Sequence, residues 1–293
     1  MTNQEQSASF YPELLGMLKD IIEDISANVI KEGQPIIVLE DYTWYKESIS
    51  LMAKQINLCD SCLLLLENGM EQEAYLLARS QFNNLLWIKY ICEDTGDDHV
   101  KEYFYQPHIS QIYTSRSLKK MLEDFEGTLD ERFDKNEMLT ILDKRIENNE
   151  KALQEENIVS KPKRISELAQ QDGMLFGLYI TLYNEGSKFE HSDISKTRKY
   201  RKPIIEGYTE DQVFTIDMGT SNKEDWLIVY RYSLFNLFFS FECIYNRITK
   251  REDHLFLDTA VSKAPYSKER FGKILLKFNS CMSVLEATEQ ESI

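Results

Sequence analysis

The chain has 293 residues, enough to bury a substantial core as one large domain or two modest ones. With 42% hydrophobic and 12% aromatic residues it is too apolar for disorder, and only 11 glycines and 6 prolines point to long uninterrupted elements. A formal net charge of -15 excludes a global attraction to nucleic acid or anionic membrane, so phosphate binding would need a local basic patch.

Residues 1–9 read as a flexible tail and 10–293 as a single helical domain. Its core helices are expected in 10–126 and 164–290, with a charged helical arm over 127–160 and a basic loop over 194–220. From Tyr11, Leu14, Leu18, Ile21, Ile22 and Ile25 recur at helical spacing until Gly33. "QPIIVLED" is a short extended link, and Asp41 is the expected N-cap of a helix over about 42–69, stopped by Gly69. "EQEAYLLARSQFNNLLWIKYICEDTG" continues as a second long helix, so the two are expected to be antiparallel neighbours. The helix after "GDDHV" meets Pro107, which is expected to kink or interrupt it.

The arm carries Leu129, Phe133, Leu139, Leu142 and Ile146 among many charges, so it is expected to project or lie on the surface. From Met174 a helix is expected to run through Leu178 and Tyr183 into "YNEGSKFEHSD". Residues 196–220 hold Pro, Gly and short β-prone pieces and read as a loop with a small hairpin. "SNKE" predicts a capping box, Ser221 with Glu224, opening a helix over about 222–249, and a last helix over about 267–287. The fold class is all-α, a bundle of about seven to nine helices. The run "WLIVYRYSLFNLFFSFECIYNRI" has the length of a membrane span, but Arg231, Glu242 and Arg247 interrupt it, so a buried bundle helix is expected instead.

Five cysteines, an odd number, and the polar start "MTNQEQSASF" predict free thiols in a reducing cytoplasm and no membrane association. The "CDSC" pair, Cys59 and Cys62, lies within a helix and lacks further zinc ligands, so it reads as core thiols. "CEDTGDDH" lacks the spacing of a calcium loop and reads as acid at a helix start. No nucleotide-binding glycine loop, zinc-protease or hydrolase-elbow motif occurs. No metal or cofactor is expected.

Two stretches carry candidate chemistry. Arg79 and Asn83 stand at i and i+4 of "ARSQFNN", on a stripe that leans toward the core. Tyr183, Ser187 and His191 form another stripe at steps of four. One reading joins them as a satisfied polar network between two helices, and the other as a His/Arg site for an anionic substrate. Just beyond comes the strongest basic run, "KTRKYRK", with Lys196, Arg198, Lys199, Arg201 and Lys202 around Tyr200. It is either a solvated loop or a phosphate holder with Tyr200 stacking on a base.

"ARSQFNNLLWIKYICED" followed by "YNEGSKFEHSD" resembles an uncharacterised bacterial helical family with an Ala-Arg-Ser-x-Phe-Glu helix and a later Tyr-x3-Ser-x3-His stretch, over about residues 40–195. The family's usual Glu is Asn83 here. That family is similar in outline to the HEPN superfamily, many of whose members are metal-independent ribonucleases of toxin and phage-defence systems. The resemblance implies an R-x4–6-H pair, and "RITKREDH", Arg247 to His254, supplies one as a reserve to Arg79 and His191. It also implies RNA or a nucleotide as ligand. The rival expectation is a non-catalytic interaction module, a homodimer whose 127–160 arm meets a partner protein.

Overall fold

The structure is a computed structural model, and it describes residues 10–29, 43–94, 96, 98–158, 161–183, 185–187, 198–205, 209, 213–216, 222–250 and 267–291. The tail over 1–9, the "QPIIVLED" link, Asp41, Ser221, His191, Lys196 and His254 lie outside the described residues.

The architecture is all-α. Helix α1 spans Pro12–Val29, α2 Trp44–Glu67 and α3 Glu71–Glu93. Thr43 caps α2, its Oγ1 accepting from the Lys46 N–H at 3.3 Å. Helices α2 and α3 pack as the expected antiparallel pair. Their turn is a Schellman motif: the Met70 N–H donates to Leu65 O at 2.9 Å and the Gly69 N–H to Leu66 O at 3.3 Å. Gly69 sits at φ 67°, where a side chain would strain the backbone.

Helix α4 spans Asp98–Asp124 and α5 Lys135–Glu155. Of the expected kink or interruption, the interruption does not occur, since Pro107 lies inside α4. Asp134 caps α5, accepting from Asn136 and Glu137 N–H groups at 2.8 and 2.9 Å. Helix α5 packs along α4 and buries Leu142 and Asn149, so the charged arm is the second limb of a helical hairpin.

Two short helices follow, α6 (Ile165–Ala169) and α7 (Gly173–Leu178). The helix expected to run on from Met174 does not stay α-helical, because residues Tyr179–Tyr183 form a π-helical turn. The predicted small hairpin is present as β1 (Arg201–Pro203) antiparallel to β2 (Phe214–Ile216), with Lys202 opposite Thr215.

Helix α8 spans Lys223–Lys250 and α9 Lys268–Glu291. At the start of α8 the Asn222 Oδ1 accepts from the Glu224 N–H at 2.8 Å. Helix α8 lies against α2, α3 and α9 and fully buries Trp226, Tyr230, Phe238 and Phe241. Trp226 Nε1 donates to Leu66 O at 3.2 Å and the Tyr230 hydroxyl to Leu14 O at 2.6 Å, so its polar aromatic tips are satisfied. Helices α2 and α8 are long and apolar enough to cross a membrane by length and composition, with 50% and 61% of those windows buried in the bundle.

Candidate functional site

Helix α3 is the spine on which the candidate residues are arranged. Its inner face buries Ala74, Ala78, Phe82, Leu85 and Ile88 against α2 and α8. Arg79 and Asn83 occupy a flank that is only half-buried. The π-helical turn lays its aromatic rings on that flank. The guanidinium carbon of Arg79 lies 4.1 Å from the centroid of the Tyr183 ring, and Tyr179 stacks near-parallel to Tyr183 at 4.9 Å. Tyr183 also meets Phe82, ring centroids 6.4 Å apart. A π turn carries one more residue than an α turn. Here that turn leaves Tyr179 and Tyr183 stacked.

The chain then presses closer still. A Cβ placed on Gly186 would lie 3.2 Å from Arg79 Cδ, 3.4 Å from Arg79 Cβ and 3.4 Å from Tyr75 Cδ1. A side chain here could be seated only if the Arg79 stem gave way. Ser187, next in line, is half-buried. The structure thus brings Arg79, Tyr183 and Gly186 together, while Asn83 Oδ1 has no hydrogen-bond partner among the described residues. Burial pushes the Tyr75 phenol well above its usual range, with the charges of Tyr232, Glu185 and Asp225 adding to it.

The basic run reaches the same helix. The Tyr200 hydroxyl donates to Glu73 Oε1 at 3.0 Å, in the first turns of α3, and burial followed by that bond raises its pKa. Arg198 is exposed, and the Arg201 guanidinium sits 5.0 Å from the Phe214 centroid across the hairpin. Lys199 and Lys202 belong to described backbone only.

Arg247 has a different setting. It is 5% exposed, with Nη1 donating to Ile91 O at 2.9 Å and Asp94 O at 2.6 Å, and Nη2 to Gly96 O at 3.3 Å. Its guanidinium carbon lies 4.3 Å from the Trp44 ring centroid. It closes the carboxyl end of α3, satisfying carbonyls that the helix leaves open.

Two features escaped sequence reasoning. His99 stacks on Tyr90, centroids 3.8 Å apart, and its Nδ1 meets Tyr90 O at 2.8 Å. The Tyr90 hydroxyl donates to Glu102, which also pairs with Lys163 at 3.0 Å, and burial followed by the Glu102 bond pushes the Tyr90 phenol up to about 12. The other is a recess of about 360 Å³ lined by Leu85, Lys89, Asp172, Glu242, Cys243 and Arg247. Lys89 there pairs with Glu93 and, at 3.4 Å, with Asp172. The recess has no spacing signature because it joins elements far apart in the chain, and the His99 stack depends on how α4 turns back on the end of α3.

The CxxC thiols are buried in the core, and burial pushes Cys62 up to about 12. Cys62 Sγ lies 3.1 Å from the Ser233 hydroxyl. Among the described residues no group of three or more His, Cys, Asp and Glu side chains is placed to hold a metal ion.

No curated protein and no solved structure matches the chain. A family model matches residues 8–203, from ahead of α1 through β1, and by that match the chain belongs to the Family of unknown function (DUF5677).

Proposed function

We propose that this protein is a HEPN-like, RNA-cleaving or nucleotide-binding effector of a toxin or phage-defence type, working in the bacterial cytoplasm. The observation that carries the reading is the clamped Arg79 guanidinium, 4.1 Å over Tyr183 and confined along its stem by Gly186. A guanidinium held in one orientation is pre-organised to stabilise charge on a phosphate oxygen. His191, four residues beyond Ser187, is the general base or acid of a metal-independent cleavage. Lys196, Arg198, Lys199, Arg201 and Lys202 steer RNA in an otherwise acidic protein, and Tyr200 ties that run to α3. Asn83, Tyr183 and Ser187 complete the polar lining. The Arg247 and His254 pair ranks lower as a source of the same two roles, because the Arg247 guanidinium already serves three carbonyls and a ring.

The test compares RNA cleavage and growth inhibition for the wild type, Arg79→Ala, His191→Ala and His254→Ala, with melting temperatures alongside. Arg79→Ala and His191→Ala are expected to lose about 100-fold or more in rate, and His254→Ala to retain it. Undiminished cleavage removes the mutated residue from the mechanism. No cleavage by any form favours a second reading, a non-catalytic interaction module acting as a homodimer. A specific observation supports that one too: an apolar groove of about 410 Å³ at the far end of the α4–α5 hairpin.

A further inference from the structure

Val100 joins the lower part of α4 to the bundle core, and Tyr105, Ile109 and Ile112 are buried further along the helix. Beyond them the helix continues beside α5, and the character of its surface changes. Leu118, Met121, Leu122 and Phe125 recur at i, i+3, i+4 and i+7, as do Met138, Ile141, Leu142 and Arg145 on α5. That spacing makes one stripe on each helix. Two stripes facing only each other would seal each other, yet Met121 is 66% and Ile141 49% exposed, with Leu118, Phe125 and Met138 exposed too. The stripes instead tilt to a common side and line the groove, seven of whose eight residues are apolar. A helical pair with an uncovered apolar seam has the form of half a four-helix bundle.

We infer that a second copy of this chain covers the groove with its own, the two hairpins running antiparallel about a two-fold axis. The inference rests on the interaction-module reading and names its partner. Charge selects that partner. The bundle side of the groove carries Arg116, Lys119 and Lys120 on α4 with Lys144 and Arg145 on α5, against Asp143, Glu147 and Glu150, and is net basic. The tip side carries Glu123, Asp124, Glu126, Asp130, Glu131, Asp134 and Glu137 against Arg132 and Lys135, and is net acidic. An antiparallel copy sets each acidic tip on the other's basic side, whereas a parallel copy sets tip against tip. Two ion pairs join α4 to α5, Arg116 with Glu150 at 2.5 Å and Lys119 with Asp143 at 2.6 Å. Both are surface pairs, whose exchange for contacts with the partner costs little. The chain as a whole has a net charge of -15, which opposes self-association, so the separated charges of the hairpin are where two copies attract. An isologous contact of this kind closes after two chains and does not propagate.

Sedimentation velocity of the full chain over a concentration series tests this. The wild type is expected to dimerise, and Met121→Glu combined with Ile141→Glu to be monomeric with an unchanged circular dichroism spectrum. Lys120→Glu with Lys144→Glu is expected to weaken the dimer by about tenfold or more, and adding Glu123→Lys and Glu126→Lys in the same chain to restore it. A monomer at every concentration overturns the inference. So does a dimer indifferent to the apolar pair, which forms through another surface, or one indifferent to the charge reversals, which is not antiparallel. The RNA-cleavage series reports separately on whether the chain is an enzyme or a module, since none of these positions touches Arg79 or Tyr183.

Discussion

At Gly186 the absence of a side chain does structural work that can be checked directly. A Cβ there would stand 3.2 Å from Arg79 Cδ, closer than ordinary packing, and the arginine stem is the part able to give way. Gly186→Ala is therefore expected to push the guanidinium off the Tyr183 ring and to cost about 1–3 kcal/mol. Thermal unfolding measures the cost, and loss of RNA or nucleotide affinity in a still-folded protein measures the displacement. Arg247→Ala acts by another route, leaving the buried carbonyl of Ile91 and the less buried ones of Asp94 and Gly96 without their cation. About 2–4 kcal/mol of stability should be lost, and Arg247→Lys should recover only part, since one ammonium cannot span the three acceptors. A melting temperature unmoved by Arg247→Ala would contradict the end-closing role. These two arginines differ in how far the sequence reveals them. Arg79 stands in a helical stripe whose period can be read along the chain, and the tyrosine it meets stands in another. The partners of Arg247 are backbone carbonyls about 150 residues away, and no residue type marks a carbonyl as an acceptor.

Helix ends show the same division between local and distant causes. Gly69 and its Schellman turn are legible because the motif closes within six residues. The π turn over Tyr179–Tyr183 is not, since its sequence would suit an α-helix and only the packing of Tyr183 against α3 favours the wider turn. Between them stands Asp172, whose Oδ1 accepts from the Met174 and Leu175 N–H groups at 2.9 and 3.1 Å, while its other oxygen meets Lys89 at 3.4 Å. Burial raises the pKa of this carboxyl, but the backbone donors and the Lys89 charge outweigh it and hold it below the usual carboxylate range. A carboxyl whose folded pKa is depressed stabilises the fold above its unfolded pKa. That contribution is lost as pH falls from the ordinary value of 3.8 through the lower folded one. Asp172→Ala should cost about 1 kcal/mol at neutral pH as a lost cap. Asp172→Asn keeps a capping oxygen, so it should cost less at neutral pH and flatten the acid limb of the stability curve. Parallel acid limbs in wild type and Asp172→Asn would refute the account.

Across the molecule, the family match and the hydrophobic core have different limits. The match ends at Pro203, the last residue of β1. The core cluster runs from Leu14 to Leu285 and takes Trp226, Tyr230, Leu234, Leu237, Phe238 and Phe241 from α8. Helix α8 also completes a buried polar seam. Gln81 Nε2 on α3 donates to the Ser233 hydroxyl at 3.3 Å, and Asn236 Nδ2 donates to Ala78 O at 3.1 Å. These two bonds tie α8 to α3 in one register, while Gln81 Oε1 and Asn236 Oδ1 are buried with no hydrogen-bond partner among the described residues. A chain cut after Pro203 loses that cover from α2 and α3 at once, exposing Met52, Leu63, Phe82 and Leu85 as well as Gln81. Each fully buried large apolar side chain contributes about 1.5–3 kcal/mol, so losing several exceeds the 5–15 kcal/mol by which domains are stable. Residues 8–203 alone are therefore expected to keep helical far-ultraviolet dichroism while losing the near-ultraviolet signal and the cooperative thermal transition. A sharp melt in that fragment would show that the matched segment folds without α8, and would move the boundary of the functional unit to the end of β1.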